Sequence, residues 1–165
     1  MTQKINLEEI QLDNFSEKPT HILENSPGIV IHDYKLFGYF KNEKVGHVTI
    51  AIMHSLEDLR KRNDFWFNLS QKPPTIRPFV FYQDTEPAYM GQGVSGRLII
   101  LANEISKIKF QQPLSSSTQF VHNHCHNWQE FSYAERPAKR VWEKLERDEL
   151  AKYCPYNGNP RWTMK

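Results

Sequence analysis

The 165-residue sequence predicts a mixed α/β (α+β) fold, a β-sheet flanked by helices, and three observations carry that expectation. Phe79-Val80-Phe81-Tyr82-Gln83 is rich in strand-forming residues, and beyond a glycine-rich stretch Leu98, Ile99, Ala102 and Ile105 recur at helical spacing, with Ile100, Leu101 and Ile108 widening the apolar face. Residues 36–41 and 45–53 are alternating or β-branched runs around Asn42-Glu43-Lys44, which reads as a hairpin. Ala138, Val141, Trp142 and Leu145 share one face of a late helix over 137–145, and residues 150–153 and 161–164 behind it read as two strands joined through 155–160.

The remaining elements follow in order. Residues 4–10 read as a first strand, and the polar stretch 15–24 as a short helix or a loop. Ser55-Leu56-Glu57-Asp58 has the acid that suits a helix start, so a helix is expected to run toward Phe67. Lys72-Pro73-Pro74 breaks the pattern, and Arg77-Pro78 leads into the strand at 79–83. Residues 119–126 can form another strand. No internal repeat or low-complexity segment interrupts the chain, and its length fits a single domain over 1–165 that buries about two thirds of its unfolded surface.

Charged residues make up 24% and aromatics 13%, an ordinary soluble composition. A net charge of +2 is too mild to indicate nucleic-acid binding, and the cluster Arg60-Lys61-Arg62, following Glu57 and Asp58, reads as the solvated face of a helix. No apolar run is long enough to span a membrane, and Met1-Thr2-Gln3-Lys4 leads into Glu8-Glu9 rather than a signal peptide, so a cytoplasmic location is expected. Cys125 and Cys154 are then expected as reduced thiols.

The stretch Pro87-Ala88-Tyr89-Met90-Gly91-Gln92-Gly93-Val94-Ser95-Gly96-Arg97-Leu98 holds three of the seven glycines and opens into the apolar run. Glycine permits positive φ and close approach, so successive N–H groups can converge on a phosphate at the positive end of a helix. A P-loop would end in Gly-Lys-Ser/Thr, whereas Gly96 is followed by Arg97-Leu98. Gly91, Gly93 and Gly96 do spell the dinucleotide pattern G-x-G-x-x-G. The position about twenty residues on, where a ribose-binding acid belongs, falls in Pro113-Leu114-Ser115-Ser116-Ser117. A tight strand-to-helix turn with no ligand is the plain alternative.

Thr85-Glu86-Pro87-Ala88-Tyr89-Met90-Gly91-Gln92-Gly93-Val94-Ser95 resembles the acyl-coenzyme A loop of the GNAT acetyltransferase superfamily, approximately V-x-P-x-x-R/Q-G-x-G-x-G/A. The proline, both central glycines and the helix onset agree; Met90 and Ser95 depart from it. Pro137-Ala138-Lys139-Arg140-Val141-Trp142-Glu143-Lys144-Leu145 is similar to that family's late helix, A-x-R-x-Y-E-K-L, so the likeness covers residues 75–165. The resemblance implies a mixed, splayed sheet around acetyl-coenzyme A, held by Thr85, Met90, Gly91, Gln92, Gly93, Val94, Ser95 and Gly96. It implies transfer of the acetyl group to an amine acceptor, of which a protein lysine, a tRNA-linked amine, a polyamine and an aminoglycoside stay open, as does a homodimer. No membrane partner is implied.

The same resemblance places a glutamate base on the strand before the loop and a tyrosine acid in the late helix. Residues 75–83 contain no acid, so the base falls to Asp84, Glu86, a histidine such as His124, or solvent, with Asp84 and Glu86 equally suited to capping the loop. Trp142 stands where the tyrosine belongs, and indole cannot act as an acid near neutral pH. Tyr133, just before the 137–145 stretch, is the substitute acid, with Cys125 as the other candidate, and Trp142 reads equally as a core anchor. The departures at Met90, Ser95 and Trp142 also suit a GNAT-like module that binds acyl-coenzyme A or a protein without turnover. The cluster His122-Asn123-His124-Cys125-His126 invites a zinc reading, but on a strand its three histidines would spread over about 13 Å of one face with Cys125 opposite, so no metal is expected.

Overall fold

The computed structural model describes residues 4–26, 29–55, 78–116, 128–154 and 161–165. Among them eight strands form one mixed sheet, and two α-helices accompany it. The strands are β1 (Gln11–Leu12), β2 (His21–Ser26), β3 (Ile29–Phe40), β4 (Glu43–Ser55), β5 (Phe79–Thr85), β6 (Ser115–Ser116), β7 (Ala151–Tyr153) and β8 (Trp162–Met164). The helices are α1 (Val94–Lys109) and α2 (Trp128–Arg147). The sheet order is β1-β3-β4-β5-β6-β8-β7, with β2 paired to β3; only the β5–β6 pair is parallel, and α1 is its crossover. These observations agree with the α/β class expected from the sequence.

The hairpin is longer than the 36–41 and 45–53 runs suggest, and its turn lies earlier. Lys41 and Asn42, at φ +48° and +67°, form a two-residue turn whose left-handed backbone matches strand twist, so Glu43 and Lys44 belong to β4. The register slips at Val45, between the pairs Gly38↔Gly46 and Tyr39↔Lys44. A side chain at Gly46 would collide with the Asp84 carbonyl, and one at Gly38 with Leu98 of α1. The two glycines therefore let β5 and α1 lie close against the hairpin.

Alternation in β4 sends Val48, Ile50 and Ile52 into the main core, where they meet Leu98, Ile99 and Ala102 of α1 and Trp142 and Leu145 of α2. Each of these side chains is nearly or fully buried, and burial of one such group contributes about 1.5–3 kcal/mol. Trp142, 3% exposed, thus occupies the core-anchor role that its helical spacing suggests. Asn103 and Ser106 near the end of α1 are buried too: Asn103 Oδ1 accepts the Leu114 N–H at 2.9 Å and the Ser106 hydroxyl donates to the Gln112 carbonyl at 2.7 Å. These bonds turn the chain from α1 into β6.

Three further expectations are corrected. Residues 4–10 form no strand: Asn6 accepts the Glu8 N–H and starts a 3-10 turn over Leu7–Glu9, a capping signal that outweighs the apolar alternation. The end of the polar stretch 15–24 is part of β2, because pairing with β3 overrides local polarity. The late helix begins at Trp128, so Pro137 lies inside it; proline's fixed φ suits a helix, though its missing N–H removes one helical bond. The helix expected from Ser55 toward Phe67 and the strand expected at 119–126 fall outside the described residues, apart from Ser55, which ends β4.

Candidate functional site

β5, the glycine loop and the start of α1 form one continuous unit. The Glu86 N–H donates to the Val45 carbonyl at 2.9 Å, which ends pairing with β4, and Pro87–Tyr89 make a 3-10 turn with proline at its favoured first position. Tyr89 anchors that turn, buried and donating its hydroxyl to the Glu43 carboxylate. Gly91 and Gly93 then sit at φ +76° and +86°. A side chain at Gly91 would meet none of the described residues within 4 Å, so among them that side of the loop is open.

Gly93 is the N-cap of α1, and among the described residues no side chain caps the helix start. The Arg97 N–H bonds the Gly93 carbonyl at 3.1 Å, so the N–H groups of Val94, Ser95 and Gly96 are the orphan donors of the first turn. Those donors and the helix dipole together favour an anion there.

The residues expected to bind coenzyme take different places around this start. Thr85 Oγ1 and Ser95 Oγ share a hydrogen bond at 2.8 Å that ties the end of β5 to the first turn of α1. Gln92 Oε1 accepts the Ile5 N–H at 3.0 Å, so its side chain serves the 3-10 segment. Val94 points into the core and offers only its main chain, whereas Met90 is 62% exposed. Gly96 faces Val141 of α2, 3.9 Å from where a Cβ would stand.

The catalytic candidates do not come together among the described residues. Asp84 is exposed at the end of β5, and its Oδ1 accepts the Thr85 N–H at 2.9 Å. Glu86 pairs with Lys44 at 2.8 Å. Both carboxylates thus have the loop-securing contacts that the sequence left open to them. His124 and Cys125 lie outside the described residues, and Tyr133 falls in a part of α2 where only the backbone is described.

Pairing does reveal a histidine that sequence reasoning missed. His47 of β4 stands directly opposite Asp84 in the ladder, so the two side chains share a sheet face with Tyr82 and Thr49. Burial pushes the imidazole below its ordinary value and Lys35 adds to that, while the Asp84 carboxylate pulls the other way; the net shift favours the neutral ring. The signal was present only in register, since His47 lies thirty-seven positions from Asp84 in sequence.

Gln83 and Thr85 alternate to the opposite, α1-facing side of β5, with Gln83 opposite the core residue Val48. Gln83 Oε1 is buried and finds no hydrogen-bond partner among the described residues, and the same holds for Arg97 Nε. A buried acceptor with no donor marks a place where a polar group of a ligand or a water fits. No group of three or more metal-ligating side chains occurs among the described residues, and no described helix is long and apolar enough to cross a membrane. Compared with family models, curated proteins and solved structures, the chain matches none.

Proposed function

We propose that the protein is a GNAT-type N-acetyltransferase that transfers an acetyl group from acetyl-coenzyme A to an amine by direct attack. The observation that carries this reading is the uncapped start of α1 behind two left-handed glycines at the end of β5. Orphan N–H groups there suit the coenzyme's diphosphate, and the open side of Gly91 leaves it room. Gln83 Oε1, buried on the same side of β5, suits an amide N–H of the pantetheine arm.

Acetyl-coenzyme A supplies the acyl group as a thioester. The acceptor must lose a proton to attack, so Asp84, with neutral His47 beside it, serves as the base at the loop end of β4 and β5. These two groups face away from α1, so in this reading donor and acceptor approach from opposite sides of β5. The N–C bond forms as the C–S bond breaks, and the thiolate leaves to take a proton from another group or from water. Trp142 is not that group: it is packed in the core and has no acidic proton.

Labelled acetyl-coenzyme A incubated with a library of protein, polyamine, aminoglycoside and aminoacyl-tRNA acceptors tests the proposal. Label transferred to one acceptor class supports it. Tight coenzyme binding without transfer would favour the second reading, a non-catalytic acyl-coenzyme A module, to which the burial of Trp142 lends weight. No coenzyme binding would overturn both.

A further inference from the structure

The segment Ile5 to Glu8 approaches the glycine loop and the first turns of α1 at three points. The Ile5 N–H donates to Gln92 Oε1 at 3.0 Å, Leu7 Cδ1 lies 3.2 Å from where a Cβ on Gly93 would be, and Glu8 Oε2 is 3.3 Å from an Arg97 guanidinium nitrogen. Arg97 lies one helical turn after Gly93, and side chains on a helix lean toward its N-terminus, so the guanidinium reaches back over the uncapped first turn. The guanidinium meets the Glu8 carboxylate, beside a helix start whose orphan N–H groups favour an anion.

The two ends of this ion pair are unequal. The Arg97 side chain is 20% exposed and its Nε is buried with no hydrogen-bond partner among the described residues, while the Glu8 side chain is 80% exposed. A carboxylate held at that exposure contributes little. A phosphate can engage the guanidinium through two charge-assisted bonds, a stronger arrangement. Met90 leaves the loop without a cationic side chain of its own, and Arg97 is the first one after it.

Resting on the reading of the loop as a coenzyme site, we propose that Ile5 to Glu8 is a strap across that site, in which Glu8 holds Arg97 in place of the ligand's phosphate and yields when the phosphate arrives. Glu8 is then an internal competitor, and Arg97 the side chain that the ligand gains on displacing it. The Ile5–Gln92 and Leu7–Gly93 contacts keep the competitor in register.

Calorimetric titration of coenzyme A into wild-type protein, Glu8→Gln, Arg97→Gln and the double variant tests this. Glu8→Gln is expected to tighten binding about two- to fivefold, the scale of an exposed ion pair. Arg97→Gln is expected to weaken it about tenfold, and in that background Glu8→Gln should have no effect. Equal affinity of wild type and Glu8→Gln, or the same gain in both backgrounds, overturns the strap while leaving the loop assignment standing. A wild-type protein without coenzyme affinity overturns the loop assignment and the strap with it. Hydrogen exchange of residues 4–10 in wild-type protein gives a measurement independent of any variant: exchange rises on adding coenzyme A if the strap is released, and an unchanged pattern overturns the proposal.

Discussion

Gly91 and Gly93 have nearly the same φ but differ in what a side chain would meet. Gly91 faces open space, so Gly91→Ala should cost only the left-handed strain, about 1–2 kcal/mol in chemical denaturation. Gly93→Val adds a branched group against Leu7 and should abolish coenzyme A binding; calorimetry showing undiminished affinity in a folded variant would remove the loop from the proposed function. A second residue governs acid stability. His32 is fully buried, and desolvation lowers its imidazole to about 4, below its unfolded value, so the unfolded chain binds the proton first as pH falls. Stability should therefore drop by about 3 kcal/mol between pH 7 and pH 4, at 1.36 kcal/mol per pH unit of separation. Burial raises the neighbouring Asp33 carboxyl and so works in the opposite sense at the acid end. Denaturation midpoints of wild type and His32→Gln across this window isolate the histidine: the variant should show the shallower slope, and parallel slopes would assign the effect elsewhere.

Among the elements, α1 does most to organise the site, because its first turn faces the loop and its last turns place β6. Asn103→Ala should leave the buried Leu114 N–H unpaired and cost about 1–3 kcal/mol in denaturation, with β6 amides exchanging faster; unchanged exchange would show that Ser106 alone holds the turn. The unit β5–loop–α1 was legible because its determinants are local: β-branched and aromatic residues for the strand, glycine where φ is positive, apolar spacing for the helix. Elements set by distant partners were not. β2 is a polar strand fixed by its pairing with β3, and β6 is two serines whose strand character comes from Phe79, Val80 and Thr163. The same division runs through the site, where the glycines could be read from their neighbours in sequence. The His47–Asp84 pair and the Glu8–Arg97 contact depend on register and on docking across the molecule.

At the scale of the whole molecule, the β7 half of the sheet hangs on β8. Ala151, Lys152 and Tyr153 pair with β8, and β8 in turn joins β6 through Thr163, with the Trp162 N–H on the Ser116 hydroxyl and the Met164 N–H on the Leu114 carbonyl. A chain lacking residues 161–165 should lose hydrogen-exchange protection across β7 while the β3–β4 hairpin keeps its own; protection retained at β7 would show another anchor. Because β8 follows both of its neighbours in sequence yet lies between them, synthesis order and assembly order conflict. During translation the hairpin and the β5–α1 unit can settle as they emerge, but β6 waits with one edge bare and β7, though Ala151 can pack with Trp142 and Leu145 of α2, has no described strand to pair with until Trp162–Met164 has left the ribosome. A nascent chain stalled just before that point would carry an open sheet edge, and the interval before β8 arrives is when a chaperone has most to protect.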